Sequence, residues 1–161
     1  MTVTDVRKDP AARTMEIVSE FTAPIDRVWQ LIADPRQLER WWGPPTHPAT
    51  FTDFDLASGG RVSYFMTGPD GAEYHGWWQV REVDPPNALE VQDGFADDHG
   101  EPNRNLPVNI MRIELVANGP ITHMTIRSTF PTLDAMEQTI AMGAEEGMKQ
   151  ALGQIDALLA A

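Results

Sequence analysis

Five tryptophans are the residues with the greatest capacity for specific chemistry, and all five lie in the first half of this 161-residue chain. Four of them form two adjacent pairs, Trp41-Trp42 and Trp77-Trp78. Adjacent side chains point about 100° apart on a helix and to opposite faces of a strand. We therefore expect one ring of the first pair to anchor a short helix while the other lines a pocket mouth. In the second pair, alternation with Val80 predicts that Trp78 points inward.

A second group of residues predicts an apolar wall. Tyr64 and Met66, or alternatively Phe65, face inward from one strand, and further methionines and isoleucines alternate on later strands. Gly143 and Gly147 share the facing helix, where glycine costs about 1 kcal/mol relative to alanine. Either close approach to the sheet or room for a ligand explains them. The predicted ligand-binding residues are Trp42, Tyr64, Met66, Trp78, Met111, Ile113, Met124, Ile126, Met136, Ile140, Gly143 and Met148.

Residues with catalytic or metal-binding capacity form no motif. The four histidines, at positions 47, 75, 99 and 123, have no metal-ligand spacing. No phosphate-binding loop or nucleophile motif occurs, so the sequence predicts neither a metal nor a cofactor. An acid–base residue inside a cavity would still permit catalysis. Strand alternation places the main charged candidates on outer, solvated faces: Glu73, Glu82, Glu90, Glu114 and Arg112.

The elements that must position these residues follow from hydrophobic periodicity. A half-buried strand over 15–21 precedes two short helices, the second starting at Asp34-Pro35 and ending at Gly43-Pro44-Pro45. Apolar residues then recur at helical spacing from Leu133 to Leu158, which predicts one long C-terminal helix of about 27 residues. Six further strands, joined by turn-like sequences, are predicted at roughly 49–55, 60–67, 73–84, 87–95, 107–117 and 121–130.

Composition excludes several classes of partner. The net charge of −12 disfavours nucleic acids and anionic membranes, which both attract basic surfaces. The chain has no cysteine, signal peptide or membrane-length apolar run, which predicts a cytoplasmic protein. A homodimer is compatible with the sequence, but no pattern in it specifies one.

This order of elements predicts an α+β fold in which a curved antiparallel sheet of about seven strands grips the long helix. We expect a flexible N-terminus over residues 1–13 and a single domain over 14–161. A helix lying across a curved sheet does not fill the space between them. The sequence therefore predicts an internal cavity with apolar walls.

Several segments carry a family resemblance over about residues 14 to 160: "PIDRVWQLIADPRQLERWWGP", "LASGGRVSYFMTGPDG", "EVDPPNALE" and "THMTIRSTFP". They resemble the START-like (SRPBCC, helix-grip, Bet v-like) superfamily. Within it they look most like bacterial homologues of the C-terminal domain of the activator of the heat-shock chaperone's ATPase. Many such members carry a tryptophan after the glycine of the last helix, where this chain has Met148.

The resemblance implies three functions. The favoured one is binding of a small hydrophobic ligand between sheet and C-terminal helix. The alternative is a metal-independent cyclase-like or hydrolase-like enzyme with an acid–base residue in the cavity. The third is a co-chaperone that activates a chaperone ATPase, ranked lower because the chain lacks the extra N-terminal domain of the eukaryotic activators.

Overall fold

The computed structural model describes residues 3–160 and contains one antiparallel sheet and five helices within that range. The helices are α1 (Ile25–Ala33), α2 (Pro35–Leu38), α3 (Leu133–Ala141), α4 (Ala144–Leu152) and α5 (Ile155–Ala160). The strands are β1 (Val3–Asp9), β2 (Thr14–Phe21), β3 (Ala49–Phe54), β4 (Arg61–Thr67), β5 (Glu73–Asp84), β6 (Ala88–Phe95), β7 (Asn109–Asn118) and β8 (Ile121–Thr129). Their order in the sheet is β1-β2-β8-β7-β6-β5-β4-β3. The predicted α+β helix-grip architecture is confirmed.

The concave face of the sheet carries the core. In β2 every second residue is buried, including Met15, Ile17 and Phe21, as the alternation predicted. Ile17 lies opposite Ile126 of β8, which in turn lies opposite Ile113 of β7. One continuous apolar layer therefore crosses the middle of the sheet, and the helices pack on it.

The two short helices close one end of the fold. The Asp34 carboxylate accepts a hydrogen bond from the backbone N–H of Arg36 at 2.9 Å, so it caps α2 as predicted. The helix ends at Leu38, and Trp41 and Trp42 follow in turns rather than on the helix itself. A Cβ at Gly43 would lie 2.0 Å from the His47 carbonyl oxygen, so only glycine allows this tight exit.

The C-terminal helix differs from the continuous helix that the periodicity predicted. It is divided into α3, α4 and α5. Gly143 has a φ of +89°, a left-handed conformation that ends α3 and starts α4 in a new direction. Gly153 marks the second interruption. Periodicity reports which face is buried and carries no information about such breaks, because the apolar residues continue beyond each of them.

The N-terminus also differs from the expected flexible segment. Val3–Asp9 forms an edge strand that pairs with β2. Val3 and Val6 are half-buried against the core, and Lys8 forms an ion pair with Glu145 of α4. An edge strand is held mainly by backbone hydrogen bonds on one side, so it needs little apolar alternation of its own. This strand brings the sheet to eight strands instead of about seven. Among the helices of the described range, none is long and apolar enough to cross a membrane.

Candidate functional site

A pocket of about 220 Å³ lies where the concave face of β4–β7 and the α3–α4 junction do not meet. Its wall is predominantly apolar. Tyr64 and Met66 line it from β4, and Thr139 and Ala144 line it from the helices. Tyr74 and Phe95 also border it and remain 56% and 36% exposed. The sheet and the C-terminal helices therefore leave a space between them at this end of the sheet.

An aromatic cluster packs against Tyr64, one of the residues that line the pocket. The Trp42 and Trp78 rings meet edge to face with centroids 5.0 Å apart. The Tyr64 ring lies 6.3 Å from Trp42 and 6.0 Å from Trp78, and it stacks on Phe51 at 5.1 Å. Edge-to-face contacts at these distances stabilise aromatic clusters. These contacts fix the position of the Tyr64 ring at the edge of the pocket.

The indole nitrogens divide the tryptophans into two classes. Trp41 Nε1 donates to the Leu31 carbonyl oxygen at 2.8 Å, and Trp77 Nε1 donates to that of Phe95 at 3.0 Å. Trp42 Nε1 and Trp78 Nε1 are buried and make no hydrogen bond of normal geometry among residues 3–160, although both interact with the Tyr64 hydroxyl and Trp78 also interacts with the Asp93 carboxyl. Buried indole N–H groups normally find a partner. Both indoles belong to the aromatic cluster behind Tyr64.

Two further polar side chains border the pocket, Asp93 of β6 and Asn109 of β7. They lie opposite each other in the sheet, and Asp93 also lies opposite Trp78 of β5. Directly opposed side chains have Cβ atoms about 4.5–5.5 Å apart. The Asn109 Oδ1 atom is buried and has no partner in the described chain. Strand register therefore gathers donors and acceptors at one end of an apolar pocket.

The electrostatics of the site favour neutral forms of its acids. Burial raises the pKa of Asp93 to about 7, and the nearby Trp78 indole offsets this rise only in part. Burial, followed by the neighbouring Asp93 carboxylate, raises the pKa of the Tyr64 hydroxyl above its ordinary value, although Trp42 and Trp78 oppose this. Tyr64 is thus a protonated donor, and Asp93 is present both as acid and as carboxylate near neutral pH.

The close fit of Tyr64 depends on a glycine across the sheet. Gly76 lies opposite Tyr64, and a Cβ at Gly76 would lie 2.5 Å from the Tyr64 hydroxyl oxygen. The absent side chain lets the phenol ring lie across β5 toward the pocket. Among the residues that sequence reasoning missed, Gly76 and Asp93 are the most important. Period-two alternation could have indicated Asp93, because Leu89 and Val91 precede it on the same buried face.

The structure separates eleven of the twelve predicted ligand-binding residues into four groups, and Gly143 stands apart from them. Tyr64 and Met66 line the pocket, and Trp42 and Trp78 pack on Tyr64 without lining it. Trp78 points inward as predicted, whereas Trp42 does not lie at the mouth, because it is only 5% exposed. Ile140 and Met148 are half-buried against the core. The remaining inward-facing residues are packed in the core: Met111, Ile113, Met124, Ile126 and Met136.

Gly143 requires a correction. It is exposed, and nothing lies within 4 Å of the position of a Cβ. Gly147 likewise has nothing within 4 Å, so close approach to the sheet explains neither glycine. The conformation of the backbone explains Gly143, since its φ is +89°.

The charged residues expected on outer faces lie there. Arg112 contacts Glu82 and Glu114 at 3.0 Å each and Glu90 at 3.5 Å. Glu73 is exposed. Within the described range, no group of three or more histidine, aspartate and glutamate side chains could hold a metal ion.

A wider groove of about 610 Å³ lies between β1 and the α4–α5 segment. Val3, Val6, Lys149 and Gly153 line it. None of these four residues has a buried side-chain polar atom without a partner, whereas Asn109 Oδ1 at the β4–β7 pocket is such an atom. The smaller pocket is therefore the better candidate for specific recognition.

Residues 22–160 match the model of a family described as Activator of Hsp90 ATPase homolog 1-like protein. The chain belongs to this family. The matched range contains every pocket residue described above, and it confirms the predicted resemblance. None of the curated proteins matches the chain.

Solved structures of similar chains support this membership. A crystal structure of a protein from Mycobacterium smegmatis is 48% identical, covers 98% of this chain and 96% of that chain, and has a TM-score of 0.91. A solution structure from Arthrobacter aurescens is 49% identical, covers 99% and 92% of the two chains, and has a TM-score of 0.94. An AHSA1 protein from Silicibacter pomeroyi, at 21% identity, 91% and 97% coverage and a TM-score of 0.75, shares the fold.

Proposed function

We propose that this protein binds a small, mainly apolar molecule in the pocket between β4–β7 and the α3–α4 junction. One observation carries the proposal: the open, mainly apolar pocket borders Asn109, whose buried Oδ1 atom has no hydrogen-bond partner among residues 3–160. A buried unpaired polar group costs about 1–3 kcal/mol. A fold that carries such a group beside an open apolar space is best explained by a ligand that pairs with it.

The walls and the rim support an apolar ligand. Met66, Tyr74 and Phe95 supply hydrophobic surface around the opening. Pockets for small molecules usually measure about 300–1,000 Å³, so a pocket of about 220 Å³ suits a compact molecule. We retain the sequence-based prediction that this binding takes place in the cytoplasm.

Filling the pocket tests the proposal. Ala144 lines it from α4, whereas Ala141 at the end of α3 is exposed. Ala144→Phe should abolish binding because the ring occupies the space, and Ala141→Phe is the matched control outside it. We expect a screen of apolar compounds by thermal shift and native mass spectrometry to find ligands for the natural chain and for Ala141→Phe. Equal binding by Ala144→Phe, or no ligand for any variant, would contradict the proposal.

A specific observation favours a second function, metal-independent acid–base catalysis. Asp93 borders the pocket, and burial raises its pKa to about 7, near the value at which a general acid–base group works best. A cyclase-like or hydrolase-like reaction could use this carboxyl to move a proton. Asp93→Asn should then abolish turnover of a bound substrate while binding persists. Unchanged turnover in this variant would remove Asp93 as the acid–base residue.

The family description supports a third function, activation of a chaperone ATPase. It predicts that the purified chain increases the ATP hydrolysis rate of the heat-shock chaperone. Ala144→Phe serves here as a control, because a partner surface elsewhere on the molecule does not depend on the pocket. No increase at saturating chain concentration would rule this function out.

A further inference from the structure

Two neighbouring side chains of the β4–β7 pocket offer hydrogen-bond acceptors to a ligand. Asp93 of β6 and Asn109 of β7 both line the pocket, and the buried Asn109 Oδ1 atom has no partner among residues 3–160. The two residues lie opposite each other in the sheet, which brings their Cβ atoms to about 4.5–5.5 Å. One ligand group with several donors can therefore reach both side chains.

The charge around the pocket has one sign. Asp93 lines it, and among residues 3–160 no lysine or arginine does so. His75 borders the pocket, but its ring contacts Glu73 at 3.2 Å and packs on Phe65. Burial raises the pKa of Asp93 to about 7, and the Trp78 indole opposes this rise only in part. A ligand cation would supply the opposite charge that favours the ionised carboxylate.

The helix side and the rim of the pocket also suit a ligand that donates. The Thr139 hydroxyl donates to the Ala135 carbonyl oxygen at 2.8 Å, so it has only lone pairs left for a ligand. The rim carries the aromatic rings of Tyr74 and Phe95. The faces of such rings attract organic cations. Met66 adds an apolar surface for the rest of the molecule.

We propose that the pocket selects a compact apolar molecule with a primary ammonium group, which donates hydrogen bonds to the Asp93 carboxylate and to Asn109 Oδ1. An ammonium group has three N–H donors, whereas a hydroxyl group has one, so only the ammonium pairs with both acceptors at once. This inference rests on the proposed binding function and specifies its ligand class as a hydrophobic primary amine. A carboxylate of the same size would repel Asp93 and leave Asn109 Oδ1 unpaired.

Phenyl probes of similar shape test this assignment. They are 2-phenylethylamine, 2-phenylethanol, propylbenzene and 3-phenylpropanoate, and propylbenzene measures the apolar contacts alone. We expect the amine to bind about 10-fold more tightly than the alcohol, because charge-assisted hydrogen bonds are roughly twice as strong as neutral ones. The carboxylate should bind most weakly of all. NMR titrations of the full chain at pH 7 give the dissociation constants.

The outcomes separate the two proposals. If no probe binds, the binding function and the ammonium assignment both fail. If the alcohol or the hydrocarbon binds as tightly as the amine, the binding function stands and the ammonium assignment is overturned. Tightest binding by the carboxylate overturns the assignment in the same way and leaves the binding function in place.

Conservative variants locate the effect. Asp93→Asn keeps the shape but removes the charge, so it should reduce the amine-to-alcohol affinity ratio about 10-fold. Asn109→Leu removes the Oδ1 acceptor and should reduce the ratio about 3-fold. Asp84→Asn is the matched control, because it removes one carboxylate from an exposed position outside the pocket and tests general attraction to the acidic chain. An unchanged ratio in Asp93→Asn, or an equal fall in Asp84→Asn, would overturn the assignment.

A spectroscopic measurement on the natural chain makes the test independent of variant stability. The carboxyl carbon resonance of Asp93 distinguishes the acid from the carboxylate. Tyr64 of β4 is the titratable neighbour of Asp93, and Trp78 and Asn109 contribute uncharged groups from the adjacent strands. At pH 6, bound 2-phenylethylamine should hold Asp93 as the carboxylate, whereas bound 2-phenylethanol should leave it mainly protonated. Bound amine beside a protonated Asp93 would overturn the ammonium assignment.

Discussion

Asp93 is the residue at which stability and function conflict most clearly. Its neighbours on the concave face of β6, Leu89 and Val91, are fully buried hydrophobic residues. A carboxyl at this position resists ionisation, because burial disfavours the charged form. A residue that weakens a core while bordering a pocket is typical of a functional site.

This conflict predicts a pH-dependent effect of Asp93→Asn. The pKa of Asp93 in the folded chain, about 7, lies above the ordinary value of 3.8. The folded state therefore binds the proton more tightly than the unfolded state. The stabilisation that this proton gives to the folded chain is fully present below about pH 4 and is lost as the pH rises through 7. The free energy of unfolding of Asp93→Asn, relative to that of the natural chain, should therefore be about 1–3 kcal/mol greater at pH 8 than at pH 4. Water in the pocket screens the charge and keeps this difference below the full effect of the pKa shift.

Urea unfolding of both chains at the two pH values measures this difference. Asp97 provides a control of opposite sign. Backbone N–H groups of Glu101 and His99 donate to its carboxylate and lower its pKa, so its contribution is lost as the pH falls. Asp97→Asn should therefore lose more stability at pH 8 than at pH 4. A pH-independent effect of Asp93→Asn would show that Asp93 has an ordinary proton affinity.

At the scale of elements, the division of the C-terminal helix decides where the pocket opens. Met136 of α3, Leu152 of α4 and Ile155 of α5 are buried against the sheet. Between them the chain changes direction at Gly143, and the pocket lies beside this junction, bordered by Thr139 and Ala144. A straight helix would have carried the same apolar face along the sheet without this change of direction.

Two glycines of this segment predict opposite effects of the same substitution. Gly147→Ala should stabilise the chain by up to about 1 kcal/mol, because Gly147 is helical and nothing lies within 4 Å of a Cβ there. Gly143→Ala should destabilise it by about 1–2 kcal/mol, because the φ of +89° disfavours a side chain. Denaturant unfolding measures both, and each variant is the control for the other. Effects of equal sign would contradict this account of the helix break.

At the scale of the whole molecule, the sheet order separates the pocket from the N-terminal strand. The pocket borders β4–β7, and β1 lies at the far edge beyond β2 and β8. The contribution of β1 comes from its pairing with β2, from half-buried Val3 and Val6, and from the Lys8–Glu145 ion pair. Stability and ligand binding should therefore respond differently to its loss.

Deletion of residues 1–9 tests this separation. We expect it to lower the free energy of unfolding by about 1–3 kcal/mol, mainly through lost apolar burial. The affinity of a pocket ligand should change less than twofold, since no residue of β1 lines the pocket. Denaturant unfolding and calorimetric titration measure the two effects. A large loss of affinity in a folded truncated chain would place a functional contact in β1.

Homodimer formation stays a prediction from the sequence, which size-exclusion chromatography with light scattering can test.

Short-range rules of the sequence determined much of the fold. Alternation identified seven of the strands and the inward direction of Trp78, and it placed Glu82, Glu90 and Glu114 on the outer face with Arg112. These properties depend on residues only a few positions apart, so the sequence expresses them directly. The edge strand β1 was missed for the same reason, because its pairing with β2 leaves little apolar alternation in its own residues.

Only the tertiary structure decided the site. Trp78, Asp93 and Asn109 come together through the register of the three strands β5, β6 and β7. Tyr64, on a fourth strand, β4, lies opposite Gly76 of β5. Register depends on bulges, turn geometry and packing summed over whole strands. The position of the gap depended on the φ of Gly143, which ends one helical segment and starts another. The sequence thus determined that apolar walls would face each other, and long-range packing decided where they part and which polar atoms remain unpaired.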